Sequence, residues 1–357
     1  AACSKSITVF WSHCLLPSAF CLLLLAFLFH ALAAATATPA RNDPARANNP
    51  ALLETGGPPK SSLPERHEVA AREPAEIKIV SYNIRWRGGE DLRRLIELLR
   101  RDAEIGGADV IGLQEVDRNR KRTGNVNTAR LMADELKMHY AWAAPPPAVD
   151  DDDDDEEEEE ETGVAILSRY PLSDVVRLVL PHEGPGGRRR AAVGATLHIG
   201  ASRVRVYSVH AETRIKMERK MEQLAAALED LGRRPKTKCA VVVGDLNTIK
   251  GKDVRGARKL FGDAGFTTPF PDDRSTFKAA YVIKLKLDWM WLRGLEAGES
   301  GIVRRIGLSD HWPLWLTARI GPAEENVLKT KGSDAPPARP PVGRCVEEGD
   351  ILSAGTP

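Results

Sequence analysis

Two short segments concentrate the chemically capable residues. Val241-Val242-Val243 runs into Gly244-Asp245-Leu246-Asn247, and Ser309-Asp310-His311-Trp312-Pro313-Leu314 follows about sixty residues later. The first reads as a buried β-branched strand ending in a carboxylate and a carboxamide two residues apart. Residues two apart on a strand point to one face, so both side chains are expected to reach one ligand. The second adds a carboxylate, Asp310, and a titratable imidazole, His311. Oxygen donors beside an imidazole suit hydrolysis assisted by a hard divalent metal.

The elements that position these groups repeat one design. Ile77-Lys78-Ile79-Val80-Ser81-Tyr82-Asn83 alternates and ends in Asn83. Asp109-Val110-Ile111-Gly112-Leu113-Gln114-Glu115 is apolar and ends in Glu115, and Val204 to His210 alternates and ends in His210. Leu285-Lys286-Leu287-Asp288-Trp289-Met290-Trp291 sets Asp288 within a strand. Singly, such residues are turn formers or caps. Together they deliver amide, carboxylate and imidazole groups from strand after strand.

In this order the set resembles the endonuclease/exonuclease/phosphatase superfamily, with its deoxyribonuclease-like fold, over residues 76–320. The residues carrying the resemblance are Tyr82-Asn83, Gln114-Glu115, Gly163 through Leu167-Ser168-Arg169-Tyr170-Pro171, His210, Gly244-Asp245-Leu246-Asn247, Asp288 and Ser309-Asp310-His311. Gly163-Val164-Ala165 departs from it, lacking the Asn that many members carry after this Gly. The resemblance implies an α/β, four-layer α/β/β/α sandwich of two mixed sheets flanked by helices, with the active site at one edge. It implies Glu115 and Asn83 as metal ligands, joined by Asp310. Asp245 would orient or deprotonate the attacking water, and Asn247 would hold a phosphoryl oxygen or the metal. His311, with Asp288 fixing its tautomer, would act as base or phosphate-stabilising acid. His210 would donate to a phosphoryl oxygen or the leaving group. Arg189, in Arg188-Arg189-Arg190, would face the substrate phosphate, against the plainer reading of a basic turn after Gly186-Gly187.

Net charge over the 357 residues is +1. That near-neutrality is a cancellation. Residues 76–149 and 162–320 together carry about +14, and the unbroken acidic run Asp150 to Glu161 offsets most of it. A basic core favours polyanionic or phosphate-bearing partners. The acidic run reads as a solvated loop insertion, or alternatively as a polyanion mimic folded over the basic site or a low-affinity divalent-ion trap. No zinc spacing, Gly-rich nucleotide loop or Gly-x-Ser-x-Gly turn occurs, which excludes the zinc, nucleotide-loop and serine-hydrolase signatures. No aromatic-rich stretch points to base stacking; Trp86, Trp289, Trp291, Trp312 and Trp315 are spaced like core or rim residues.

Residues 1–37 contain the apolar run Cys21 to Phe29 followed by small residues, the pattern of a signal peptide or, if uncleaved, a membrane anchor. Residues 38–75 read as a flexible linker and 321–357 as a disordered tail. Helices are expected over 91–104, 128–137, 216–231 and 256–263. Strands are expected over 164–168, 174–180, 191–199, 203–210, 239–246, 285–292 and 312–319. Cys239 is expected to pack as a small hydrophobe, with a disulfide to Cys345 as an alternative that no spacing pattern supports. The functional expectation is an exported (secreted or periplasmic), monomeric phosphoesterase that uses Mg2+ (or Mn2+) on phosphodiesters. A nuclease leads, with a sphingomyelinase-like or inositol-phosphate enzyme next. A non-catalytic phosphate-binding module is the reading from another class. No protein partner is indicated; the partner is a phosphate ester, in nucleic acid or in a phospholipid headgroup.

Overall fold

The strand β9 (Cys239–Asp245) shows how the sequence builds the layers. All seven of its residues are buried. Val241 and Val243 face one apolar cluster while Ala240 and Val242 face another. A strand buried on both faces reads as a continuous apolar run, and here the two faces serve two interfaces. The computed structural model describes residues 49–58, 76–147, 161–279 and 282–321. The expected export segment, the acidic run up to residue 160 and the tail from 322 onward lie outside these residues.

The remaining strands are β1 (Leu53–Gly56), β2 (Glu76–Asn83), β3 (Val110–Arg118), β4 (His139–Ala143), β5 (Glu161–Ser168), β6 (Leu172–Val179), β7 (Ala191–Ile199), β8 (Ser202–His210), β10 (Phe277–Ala279), β11 (Ile283–Leu285), β12 (Asp288–Arg293), β13 (Leu295–Ile302) and β14 (Leu314–Ile320). One sheet runs β1-β4-β5-β3-β2-β14-β13 and the other β12-β9-β8-β7-β6, with β10-β11 a separate hairpin. Each large sheet has one parallel pair, β2–β3 and β8–β9, inside antiparallel neighbours. Ile77, Ile79, Val110 and Ile166 meet Val193, Val206, Val241 and Val243 between the sheets. Helices α1 (Gly89–Arg101) and α2 (Thr128–Leu136) flank the first sheet, and α3 (Met217–Gly232) and α4 (Gly251–Asp263) the second. This is the four-layer α/β/β/α sandwich.

Several boundaries move for identifiable reasons. Helix α1 stops at Asp102, not 104, because the Asp102 carboxylate accepts the Glu104 and Ile105 N–H groups and the backbone turns extended. Helix α4 starts at Gly251, not 256, since Asp253 accepts the Lys250 N–H at 3.0 Å and caps the first turn. The single strand expected over 285–292 is two. Thr276 Oγ1 accepts the N–H groups of Leu287 and Asp288, so the hairpin strand β11 ends before them and Asp288 opens β12 instead of lying inside a strand. Residues 38–75 are not linker throughout: β1 pairs with β4 and Leu52 is fully buried. Strands β4, β10 and β13 are further elements the sequence reading did not expect. Cys239 is buried and disulfide-bonded, its partner lying outside the described residues.

Candidate active site

The topology brings the chemistry to one edge. Strands β2 and β3 are parallel, so Asn83, the last residue of β2, lies in register with Gln114 and next to Glu115 of β3. Strands β8 and β9 likewise finish at His210 and Asp245, which are register partners. Strand β12 is antiparallel to β9, so its first residue, Asp288, pairs with Asp245. Strand β14 is antiparallel to β2, and its entry segment carries His311 to the same edge. Two close approaches hold the sheets there. Ser208 Oγ accepts from Gln114 Nε2 at 3.0 Å and donates to Leu113 O at 2.9 Å. Gly112 lets them approach, since a Cβ there would lie 2.3 Å from a Val243 methyl.

Asp245 is the hub. Its Oδ2 accepts from Asn83 Nδ2 at 3.1 Å and lies 3.6 Å from Nε2 of both His210 and His311. His311 Nδ1 faces both oxygens of Asp288, at 2.9 and 3.0 Å. The edge of Phe277 packs on the His311 ring, centroids 4.9 Å apart. Asp245, Asp288, His210 and His311 are all buried. Burial, with the Asp288 and Glu115 charges adding to it, pushes the Asp245 carboxyl up to about 7 against the opposing pull of His311. Burial opposes the His311 imidazolium, yet Asp288 and then Asp245 overcome it and raise the group to about 10. Burial, Arg190 and His311 hold His210 well below the usual histidine range. One imidazole is therefore kept protonated and the other neutral.

Glu115 owes its aim to a defect in the sheet. The β3–β5 register shifts between Gln114 and Val116, and Glu115 adopts φ 55°. A bulge inserts one residue and re-aims its side chain. Glu115 Oε1 thereby accepts from Asn83 Nδ2 at 3.1 Å. Asn83 Oδ1 accepts the Arg85 N–H, so the Asn83 amide nitrogen, not the expected oxygen, faces the two carboxylates. Asp310 pairs with Arg85 at 3.3 Å and receives the Ser309 hydroxyl. Among the described residues, one His/Cys/carboxylate group, Asp245, Asp288 and His311, has its ligand atoms all within 4.8 Å of one another. Both Asp288 oxygens already engage His311 Nδ1, so these three read as a triad. A divalent cation suits Glu115 better. It offers carboxylate oxygens without any Cys, and the neighbouring buried carboxylates carry negative charge that a cation would offset.

Asn247 does not share a strand face with Asp245. Strand β9 ends at Asp245, and Asn247 turns left-handed at φ 50°. Its N–H donates to Asp245 Oδ1 at 3.0 Å and its amide to Ala211 O at 2.8 Å. It braces Asp245. Arg189 pairs with Glu183 at 2.7 Å, whereas the adjacent Arg190 pairs with Glu212 and acts electrostatically on His210. Strand alternation beyond Arg188-Arg189-Arg190 could not tell which guanidinium turns inward. Lys220 was also missed. It is buried on α3, donates to Asn247 O at 2.5 Å and pairs with Asp253 at 3.7 Å. Its signal was its phase: Lys220 shares the 3–4 spacing of Leu224, Ala227 and Leu231, the stripe that is buried, while the expected Met217 and Leu228 are only partly so.

Comparisons with known proteins bear on the fold and the family. An endonuclease/exonuclease/phosphatase protein from Beutenbergia cavernae is 20% identical with a TM-score of 0.54, covering 69% of this chain and 72% of that one. A protein of the same family from Leptotrichia buccalis is 18% identical with a TM-score of 0.52, covering 68% and 100%. D. rerio TDP2 complexed with single-strand DNA product is 15% identical with a TM-score of 0.52, covering 69% and 99%. At these identities the likeness is one of fold. Among curated proteins no sequence match was found. The model of the endonuclease/exonuclease/phosphatase family matches residues 80–311, from the strand that ends in Asn83 to His311 itself, and the chain belongs to that family.

Proposed function

We propose that the protein is a divalent-metal-dependent phosphodiesterase, with nucleic acid as its leading substrate. The observation that carries this reading is the run Asp288–His311–Asp245–His210, at 2.9, 3.6 and 3.6 Å, with Glu115 on the far side of Asn83. A bound Mg2+ or Mn2+ would neutralise phosphoryl charge and orient water. Glu115 would hold it, with Asp310 on the same rim and Asn83 fixing the Glu115 carboxylate.

The protein groups divide the proton work. Asp245, raised toward neutrality, is suited to accept a proton from the attacking water. His311, protonated and oriented by Asp288, stabilises charge that develops on a phosphoryl oxygen. Neutral His210 can donate one N–H to that oxygen but is a poor source of a proton for the leaving group. Asn247, held by Lys220 and Ala211, keeps Asp245 in place.

The core charge of about +14 supports a polyanionic substrate, and the single-strand DNA product bound by the structurally similar D. rerio TDP2 is consistent with it. A second reading, a phosphodiesterase acting on phospholipid headgroups, has one observation in its favour. Val282 and Ile283 are 81% and 48% exposed beside the hairpin whose Phe277 packs on His311. We take residues 76–320 as the catalytic domain, extended at one sheet edge by β1, and the apolar N-terminal run supports export. No helix of the described residues is long and apolar enough to cross a membrane.

The test incubates the full chain with Mg2+ and, in turn, plasmid, single-stranded DNA, RNA, sphingomyelin, inositol phosphates and methyl p-nitrophenyl phosphate. Turnover should vanish in EDTA, return with Mg2+ or Mn2+, and fall by orders of magnitude in Glu115→Ala and His311→Ala. No turnover of any of them would make the fold a phosphate-binding module.

A further inference from the structure

Beyond the catalytic groups, the rim next to Glu115 carries a second arrangement. Strand β2 ends at Asn83, and the chain then turns through Arg85 and Trp86 at φ 47° and 52°. Consecutive left-handed residues without glycine, one of them a bulky aromatic, are costly. The turn is pinned by Ile84 N–H to Gln114 O and Trp86 N–H to Glu115 O, each 3.0 Å. It sets the Trp86 backbone directly beside the bulge that aims Glu115. Trp86 is 37% exposed, although the sequence offers no lack of buried positions for tryptophan: Trp142, Trp289 and Trp291 are at most 1% exposed.

Two guanidinium groups lie over the indole ring. Arg122 lies 4.2 Å and Arg85 5.5 Å from the Trp86 ring centroid. Arg122 is preorganised, because buried Asp117 receives its Nε and Nη2 at 2.7 and 2.9 Å and Thr162 Oγ1 accepts at 3.0 Å. Arg85 is tied to Asp310, next to His311, at 3.3 Å. Both guanidinium groups are half-exposed, and the nearer is rigid.

We propose that Arg85, Trp86 and Arg122 form a shelf for the nucleotide flanking the scissile phosphodiester of a single-stranded nucleic acid. This rests on the phosphodiesterase reading and names its substrate class. A stack of indole and guanidinium planes offers a π surface to any base, and half-exposed guanidinium groups pair with backbone phosphates. A base inside a duplex has both faces covered, so the shelf requires a single strand. A choline headgroup, itself cationic, would meet two like charges here, which disfavours a lipid occupant.

The test measures fluorescence anisotropy of a labelled oligothymidylate and of an abasic oligomer of equal length and charge, in EDTA to prevent turnover. The wild-type chain should bind the base-bearing strand about 5- to 150-fold more tightly, the equivalent of ~1–3 kcal/mol for one stacked base. Trp86→Leu should bind both strands alike, and Trp86→Phe, which keeps a π face, should retain a preference. Equal wild-type binding of the two oligomers, or a preference surviving in Trp86→Leu, overturns the shelf; the wild-type comparison decides even if the leucine variant does not fold. Binding to sphingomyelin vesicles that depends on Trp86, without any base preference, also overturns it. Hydrolysis of methyl p-nitrophenyl phosphate by the wild type separates the two readings. Turnover without base preference removes the shelf alone, and base preference without turnover removes the hydrolase reading alone.

Discussion

Replacing Asp288 by Asn removes one charge from the triad and almost nothing from its shape. Both Asp288 oxygens lie 2.9–3.0 Å from His311 Nδ1. With both charges delocalised over their groups and their centres taken as about 4 Å apart, an effective dielectric constant near 20 gives an interaction of about 4 kcal/mol. At about 1.4 kcal/mol per pK unit this is roughly three units. His311, raised to about 10 by Asp288 and Asp245 against burial, should therefore titrate near neutrality in Asp288→Asn. The wild-type contribution of the imidazolium persists through neutral pH and is lost as pH rises through about 10; in the variant that loss moves to roughly pH 7. Loss of the oriented, charged partner should lower kcat/KM about 10²- to 10⁴-fold at neutral pH, the span typical of acid–base catalysis. Histidine-selective NMR of the metal-free protein reads the titration, and methyl p-nitrophenyl phosphate with Mg2+ reads the rate. A His311 that still titrates above pH 9 in the variant, or a kcat/KM within threefold of wild type, would refute this account. Linkage gives a companion result. A raised pKa stabilises the fold fully below the unfolded value near 6.5 and progressively less as pH approaches 10. EDTA-treated wild type should lose urea resistance across that window, and Asp288→Asn should lose much less.

Three further outcomes are expected. Mg2+ should raise the melting temperature of EDTA-treated protein, since a ligand at about 100 times its Kd adds roughly 2.7 kcal/mol; Glu115→Ala should abolish this shift, and an undiminished shift would place the cation elsewhere. Gly244→Ala should destabilise the chain by several kcal/mol, on the order of the worst core substitutions, because φ is 139° and the new Cβ would lie 2.0 Å from Val209 O; a urea midpoint near wild type would contradict that geometry. Lys220→Met should cost about 3 kcal/mol by leaving buried Asp253 without its cation, and should lower turnover by freeing the Asn247 carbonyl; unchanged stability and rate would show that Lys220 braces nothing.

The sequence by itself determined which residues could do chemistry and where the strands that carry them end. Asn83, His210 and Asp245 were legible as strand termini because alternating or continuous apolar runs stop at them, and a strand's burial pattern is local. The family resemblance added the sandwich and the pairing of Asp288 with His311. Tertiary structure alone decided what those residues meet. Asn83 and Asp245 are 162 residues apart and touch only because two parallel strand pairs in different sheets finish at one edge. The bulge that aims Glu115 is a property of its pairing with β5, not of its own segment. Arg190 rather than Arg189 acts on His210 because Glu212 stands opposite it. Lys220 is buried because Asn247 O and Asp253 receive its ammonium. Trp86, read as one more core or rim position, lies at the surface because the turn after Asn83 is tied to Glu115. Local patterns fix how each segment folds and which face it buries. Contacts across long sequence separations, set by sheet order and register, fix which charges share a dielectric and so which protonation states the site can hold.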